Sequence, residues 1–355
     1  MSESSLRANI FGLGLIGGSI ALALQKAGFE VGGFDVDSTK ISDALERGII
    51  SHSGLFEDVV VTFVATPVST VPAAVVEVLR STNGIVTDVG SVKSSVAALV
   101  VNERFIPGHP MAGSELDGLD GADATMFEGA VWVLTPTGHS SDEAFSVVAG
   151  IVSRFGAEVV AMEPSRHDDL VAVVSHVPHL TAATMMRLAD NRSEEHLALL
   201  RLAAGGFRDM TRIASSRPGI WLDICEQNKD SIVRGLDALI AGLVDMRDVV
   251  STSNRDGLQQ RLEQARLARL NLPSGAGDVS SLSEVRIPIP DRPGAAADVF
   301  TLSGELGVNI YDFEVVHSVE GERGIMVIVI RAEHADMFRG GLMARGFKPA
   351  IQLLS

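Results

Sequence analysis

Cysteine is almost absent from this chain. Cys225 is the only one in 355 residues, so no intrachain disulfide can form, and a zinc site built on two or four cysteines is excluded. A lone thiol fits a reducing compartment, and the chain is expected in the cytoplasm. Basic residues are scarce beside acidic ones: 29 Lys and Arg against 45 Asp and Glu give a formal net charge of -16. A surface of that sign repels nucleic acid and anionic membranes, so neither is an expected partner. A small anionic substrate stays possible, because one local arginine outweighs a distant surface field screened over about 10 Å. The N-terminus, Met1-Ser2-Glu3-Ser4-Ser5, lacks the basic then apolar pattern of a signal peptide. The long uncharged stretch from Val59 to Val76 carries Pro67, Pro72 and four Ser/Thr residues. It reads as a buried strand and a Pro-started helix, not a membrane span. There is no internal repeat and no low-complexity tract.

What is present is enough apolar material, 46% of residues, for more than one core. The first part alternates strand and helix patterns: strands at Ala8–Leu13, Val31–Asp35, Val59–Ala65 and Ile85–Asp88, helices at Leu15–Gln25, Ser38–Arg47, Pro72–Leu79 and Ser94–Val101. Near-continuous apolar strands between helices predict a parallel sheet covered on both faces. Val131–Thr135 and Glu158–Met162 are expected to extend that sheet. From Ser165 to Leu270 the periodicity is helical, with Leu222, Ile232, Leu236, Leu239, Ile240 and Leu243 near helical spacing. A helical segment with so wide an apolar face must dock on the first domain or pair with a second subunit. Beyond a Ser/Gly/Pro-rich stretch the order is βαββαβ, the ferredoxin-like plan: strands at Glu284–Ile289, Asn309–His317, Gly324–Arg331 and Lys348–Leu353, helices at Ala295–Leu306 and Ala335–Arg345. The expected fold class is therefore α/β. A Rossmann-type domain spans residues 1–163, an all-helical domain 164–270, a linker 271–283 and a ferredoxin-like domain 284–355.

Gly12-Leu13-Gly14-Leu15-Ile16-Gly17 follows a strand and opens a helix. Gly12 permits a tight turn, Gly14 lets the backbone approach a pyrophosphate, and Gly17 allows the helix to pack closely on the strand. The helix N-terminus adds free N–H groups and partial positive charge. Asp35 ends the next strand, where a carboxylate accepts ribose hydroxyls and repels a 2′-phosphate. No arginine follows it closely, so NAD is expected over NADP. Thr66, after the Val59–Ala65 strand, joins Leu15 and Ile16 as a further cofactor-site candidate.

The chemistry-bearing residues lie further on. His109, in His109-Pro110-Met111-Ala112-Gly113-Ser114-Glu115, is placed on a loop beyond the strand Phe105–Pro107. An imidazole there suits removal of a hydroxyl proton as hydride leaves, or equally a structural turn. Ser91, in Gly90-Ser91-Val92-Lys93, can cap the following helix and can also share the substrate hydroxyl with His109, two roles that do not exclude each other. Arg212 is a candidate carboxylate clamp. Alone, its position reads as a surface arginine. His176 and His179 are three apart, so on a helix they share a face and can donate to a keto or carboxylate oxygen. No third ligand is evident, so no metal is expected.

GSVK, HPMAGSE, Ser175-His176-Val177-Pro178-His179 and Gly205-Gly206-Phe207-Arg208-Asp209-Met210-Thr211-Arg212, in this order, resemble the prephenate/arogenate dehydrogenase family from near Ala8 to about Met246. The resemblance implies an NAD-dependent oxidative decarboxylation of prephenate, or of arogenate, on the route to tyrosine. It implies His109 as the base, Ser91 as its hydroxyl-binding partner and Arg212 as the substrate-carboxylate arginine. His179 is implied to contact the pyruvyl side chain. Ser114 and Glu115 match the polar pair at the site entrance, where some members carry threonine at the first position. Trp221 matches a tryptophan near substrate in some members, although a core role suits a helical indole equally. Gly205 falls where a neighbouring subunit approaches the pocket, in line with a homodimer. His179, with no acidic partner in the matched loop, favours prephenate.

The tail, with Pro290-Asp291-Arg292-Pro293-Gly294-Ala295 and Gly307-Val308-Asn309-Ile310, resembles an ACT domain. That implies an amino-acid effector, tyrosine or phenylalanine, near Asp291, Gly294 and Asn309, or a pairing module that binds nothing. Two other readings exist. One is a 6-phosphogluconate-dehydrogenase-like enzyme with a catalytic lysine, for which Lys229 is the candidate. The other is an NAD-linked sensor without turnover, against which His109, Ser91 and Arg212 argue.

Overall fold

The computed structural model describes residues 6–114, 116–190, 205–216, 218–270, 282–290, 292, 294–317 and 323–353. Of the sequence candidates, Glu115 and Asp291 lie outside these, as does nearly all of the expected linker. The chain divides into two compact units, Met1–Gly242 and Leu243–Ser355.

The first unit opens on a parallel sheet of six strands. These are β1 (Arg7–Phe11), β2 (Glu30–Phe34), β3 (His52–Ser53), β4 (Val61–Val64), β5 (Ile85–Asp88) and β6 (Phe105–Ile106), in the order β3-β2-β1-β4-β5-β6. Helices α1 (Leu15–Lys26), α2 (Ser38–Glu46), α3 (Val71–Ser81) and α4 (Ser94–Leu99) connect them. Successive strand residues serve opposite faces. Ile10 and Phe63 join Ile20, Leu24 and Val148 in one apolar cluster, while Phe11 and Val64 join Val75, Val78 and Val96 in another. Each such buried side chain contributes about 1.5–3 kcal/mol, which is why the sheet reads as nearly unbroken apolar runs. The order reverses beside β1, and open sheets of this kind bind ligands at that point.

The expectation that the next strands extend this sheet is not met. β8 (Val131–Leu134) pairs antiparallel with β7 (Gly108–Pro110) and parallel with β9 (Glu158–Ala161), making a separate three-stranded sheet. The switch occurs at Pro107, which has no N–H for the β5 ladder. Its carbonyl accepts instead from Thr135 N at 2.8 Å. Gly108 completes the bend, because a Cβ there would lie 3.0 Å from the Asp88 carbonyl oxygen. His109 consequently sits on a strand, not on the expected loop. Helix α5 (Asp142–Arg154) joins β8 to β9.

Helices follow: α6 (Pro164–Val171), a π turn over Ala172–His176, α7 (Val177–Asp190), α8 (Gly205–Thr211), a 3₁₀ turn at Arg212–Ser215, α9 (Pro218–Gln227), α10 (Lys229–Ser251) and α11 (Arg255–Leu270). In the second unit, strands β10 (Leu282–Pro290), β11 (Asp312–His317), β12 (Arg323–Arg331) and β13 (Ala350–Leu353) form an antiparallel sheet of order β11-β12-β10-β13. With helices α12 (Ala295–Glu305) and α13 (Ala332–Ala344) this is the ferredoxin-like plan. Val285, Ile287 and Ile289 alternate into its core against Val299, Leu302 and Phe338. The second strand starts later than expected, at Asp312, which leaves Asn309 in the preceding loop.

One buried charge pair pins the bend that carries His109. The Lys93 ammonium bonds the Asp88 carboxylate and donates to the Gly108 carbonyl oxygen at 2.7 Å, and both side chains are fully buried. Asp88 also accepts from Gly90 N at 2.9 Å. Burial pulls the Lys93 pKa down, against the opposing pull of Asp88. Breaking such a pair strands a buried charge, so Lys93→Met should destabilise the first unit by about 3–5 kcal/mol in urea unfolding. Adding Asp88→Asn should recover part of the loss. A single-variant cost below about 1 kcal/mol would show the pair is not structural.

Candidate active site

The dinucleotide signature has the geometry its residues predict. Gly12 has φ +109°, and a Cβ there would lie 2.5 Å from the Ala65 carbonyl oxygen. A Cβ on Gly17 would lie 1.9 Å from the Gly12 carbonyl oxygen, so only glycine lets α1 start this close to β1. A Cβ on Gly14 would meet nothing within 4 Å, which leaves that backbone open to a pyrophosphate. Leu15 and Ile16 are half-buried in the first turn of α1. Asp35 Oδ2 accepts from Leu13 N at 2.8 Å and Oδ1 from Asp37 N at 2.9 Å, so the carboxylate braces the glycine turn. The Lys40 ammonium lies 3.5 Å from the same carboxylate. Thr66 Oγ1 is buried and has no partner among the described residues. An open glycine backbone, a helix N-terminus and an orphaned hydroxyl together fit a dinucleotide.

His109 lies beyond the strand ends of that sheet, half-buried. Its Nδ1 is 2.9 Å from His167 Nε2, and His167 Nδ1 is 2.8 Å from Asp168 Oδ1. Asp168 also accepts from the backbone N–H groups of Lys93 and Ser94, each at 2.8 Å. Burial works to raise its pKa, but these hydrogen bonds, led by the one from His167, hold the carboxyl below its ordinary value. Burial, then the neighbouring His167, Lys93 and His176, push the His109 pKa well below 6.5. His109 is therefore a neutral imidazole at physiological pH.

Ser91 is half-buried in the turn before α4. It does not cap that helix, because the Asp168 carboxylate, arriving from α6, already takes the first N–H groups. The capping role open to Ser91 in the sequence is thus not taken up. His176 is buried at the end of the π turn. Asn228 Nδ2 donates to the Asp168 carbonyl oxygen at 2.9 Å and faces His176 Nδ1 at 3.2 Å. His176 Nδ1 must then accept, so its Nε2 carries the proton. That Nε2 is buried with no partner among the described residues, and burial holds the ring's pKa at about 4.

His179 stacks flat on Trp221, with ring centroids 3.5 Å apart, and His176 meets the same indole edge-on at 6.0 Å. The two histidines thus converge on one aromatic wall, as their spacing predicts. Burial lowers the His179 pKa. Trp221 Nε1 donates to Ser216 Oγ at 3.0 Å. Its ring is half-buried beside Ile224 and Ile232, so it serves the helical core as well as the wall. Two residues on, Asp223 accepts from Ser69 Oγ at 2.7 Å, joining α9 to the turn after β4. Arg212 is exposed in its 3₁₀ turn, and Gly205 is exposed at the start of α8. Ser114 is exposed and accepts from Leu116 N at 3.1 Å. Lys229, the lysine of the alternative enzyme reading, is exposed at the start of α10.

Sequence reasoning missed His167, Asp168, Asn228 and the partner of Lys93. In the second unit, Gly294 has φ +88° at the start of α12, as a tight strand-to-helix turn requires. Asn309 lines an open cavity of about 530 Å³ with Phe300, Ser303, Gly307 and Phe313. Among the described residues no cluster of His, Cys, Asp or Glu could hold a metal, and no helix is long and apolar enough to cross a membrane.

Known proteins share this construction. Residues 20–161 match the model of the prephenate dehydrogenase nucleotide-binding domain, and residues 163–264 match that of the prephenate dehydrogenase dimerization domain. A prephenate dehydrogenase of Bacillus subtilis is 33% identical over 91% of both chains. A prephenate dehydrogenase structure from A. aeolicus, in complex with hydroxyphenyl propionate and NAD+, is 28% identical with a TM-score of 0.71 and covers 77% of this chain and all of that one. An arogenate dehydrogenase structure from Synechocystis is 26% identical with a TM-score of 0.66, covering 74% of this chain and 99% of that one. Matched by both family models over residues 20–161 and 163–264 and by relatives along most of its length, the chain belongs to the prephenate dehydrogenase family.

Proposed function

We propose that this protein catalyses the NAD-dependent oxidative decarboxylation of prephenate to 4-hydroxyphenylpyruvate. The observation that carries the reading is the neutral His109, whose Nδ1 is engaged by His167 and whose Nε2 is the one ring nitrogen left for substrate. Gly12, Gly14, Gly17, Asp35 and Thr66 would hold the dinucleotide. NAD, when bound, accepts the hydride that leaves the hydroxyl-bearing ring carbon. His109 Nε2 takes the hydroxyl proton, with Ser91 as a second contact to that oxygen. Carbon dioxide leaves from the para carbon, and aromatisation makes the step effectively irreversible. The protein's share is alignment and charge placement. Arg212 is assigned to a substrate carboxylate, and His179 and the His176 Nε2–H to oxygens of the side chain. Trp221 forms a wall, with Ser114 and Glu115 at the entrance.

Arogenate is the second reading, favoured by the similarity to the Synechocystis enzyme. It differs by an amino group in place of the keto oxygen. Histidines with lowered pKa, and no acidic residue in the Ser175–His179 sequence, suit the keto acid. Assembly as a homodimer through the helical segment is supported by exposed Val173, Val174, Ile220 and Leu222. It is also supported by the match of residues 163–264 to the prephenate dehydrogenase dimerization domain. The C-terminal unit is assigned to feedback by tyrosine or phenylalanine near Gly294, Asn309 and Asp291.

NADH absorbance should rise with prephenate and more slowly with arogenate, and should stay flat with a panel of hydroxy acids. Added tyrosine or phenylalanine should slow it. A faster rate with arogenate would replace the substrate assignment, and no response to either amino acid would remove the effector. His109→Asn should lower kcat by about 10²–10⁴ with little change in KM, whereas Arg212→Ala should chiefly raise KM. Near-normal turnover in the first, or collapsed kcat at unchanged KM in the second, would remove those roles.

The pH dependence has a definite sign. A base whose pKa is depressed stays competent as pH falls through the ordinary value of 6.5. The kcat/KM for prephenate should therefore be flat from pH 7.5 to 6.5 and decline only well below it. An acid limb centred at or above 6.5 would show that His109 is not held neutral.

A further inference from the structure

His109 is not an isolated base. Its ring is the first of three groups in series, His109, His167 and Asp168, joined by contacts of 2.9 and 2.8 Å. The far end is fixed. Both Asp168 oxygens accept backbone N–H groups of Lys93 and Ser94, and its carboxyl pKa lies below the ordinary value. An ionised carboxylate only accepts hydrogen bonds, so His167 Nδ1 must carry a proton. A ring holding its one proton on Nδ1 offers a lone pair at Nε2, and the 2.9 Å contact is then made by a proton on His109 Nδ1. The consequence is that the lone pair of His109 is on Nε2, the nitrogen without a hydrogen bond to any of the described residues.

We infer that His167 and Asp168 set the reactive tautomer of His109 and share the proton it removes. This rests on the assignment of His109 as the base. In the step, the substrate O–H bond breaks and an Nε2–H bond forms on His109. The proton on His109 Nδ1 passes to His167 Nε2, while His167 Nδ1–H stays on Asp168. The positive charge then sits on His167, against a buried carboxylate, and His109 ends neutral with its proton on Nε2. Loss of that proton to solvent after product release, with return of the other to His109 Nδ1, restores the start. His167 is fully buried, so the stored proton has no direct route to water. Its charge is balanced by Asp168, next to the Lys93 and His176 rings and chains that would otherwise oppose a second cation beside His109. Lys93 is itself balanced by Asp88. His167 and Asp168 are positioning residues, because neither is assigned a contact with substrate.

Two replacements separate this from a packing role. His167→Phe keeps a buried ring but removes the acceptor, and should lower kcat with prephenate by about 10²–10⁴-fold while KM for prephenate and NAD stays within about twofold. His167→Gln offers Oε1 to His109 Nδ1–H and should regain at least about tenfold of that loss. Its acid limb should differ from the parent's, because Gln cannot take up the proton. Turnover of His167→Phe within about twofold of the parent, or a Gln variant no better than Phe, would overturn the relay. If His109→Asn is inactive at the same time, the base assignment survives that failure. If the Phe variant does not fold, ¹⁵N spectra of histidine-labelled parent protein decide. A proton on His109 Nδ1 supports the proposal, and a proton on Nε2 in the resting protein overturns it.

Discussion

The structure turns on the carboxylate of Asp168. It comes from the start of the helical segment and binds the first N–H groups of α4, a helix of the nucleotide-binding sheet domain. Helix N-termini carry unsatisfied donors and partial positive charge, so a carboxylate there is favoured twice over. Hydrogen bonds to a charged group contribute about 1.5–3 kcal/mol each, and a buried donor stripped of its partner costs about as much. The same oxygen that caps α4 also orients His167. One side chain therefore docks the helices on the sheet and orients His167 against the His109 imidazole.

A second buried charge works on the other side of His109. Lys93 and Asp88 form a fully desolvated pair under the bend at Gly108. Such a pair adds little net stability over apolar packing, since desolvation offsets the attraction. What it supplies is geometry: β5 and β7 leave this point in different sheets, and the ammonium holds the carbonyl of the turning residue. It also places a positive charge near His109, which adds to burial in keeping that ring neutral. His109 is thus flanked by a cation that helps to lower its pKa and, through His167, by the Asp168 carboxylate.

Much of this fold is legible in the sequence because its signals are local. The spacing of Gly12, Gly14 and Gly17 encodes contacts within a few residues, and strand alternation such as Val285, Ile287 and Ile289 encodes a face. His176 and His179 reach one indole because helical spacing brings them there. What could not be read depends on distant pairs. Asp168 meets Lys93 across 75 residues, and His109 meets His167 across 58. A signal did exist: His167, Asp168 and Val171 occupy one buried face of α6, and two polar residues on the apolar face of a short helix must find partners. The departure of β7 to β9 from the main sheet was likewise marked, by Pro107 and Gly108 after a two-residue strand. Only the destination of the chain, the β8 ladder, lay beyond local reading.

The seams between helices and sheet are unequal, and the inequality has a direction. At Asp168 the junction is buried, charged and bonded to several donors. At the opposite seam, Ser69 in the turn past Thr66 meets Asp223 on α9 through one hydrogen bond at the surface. That bond also goes to a carboxylate, but it is exposed to solvent and screened, whereas the contacts at Asp168 are buried. α9 also carries Trp221, the wall against which His179 stacks. Helix α9, and with it the indole on which His179 stacks, is therefore tied to the sheet by a surface contact, whereas α6 is tied to it by buried ones.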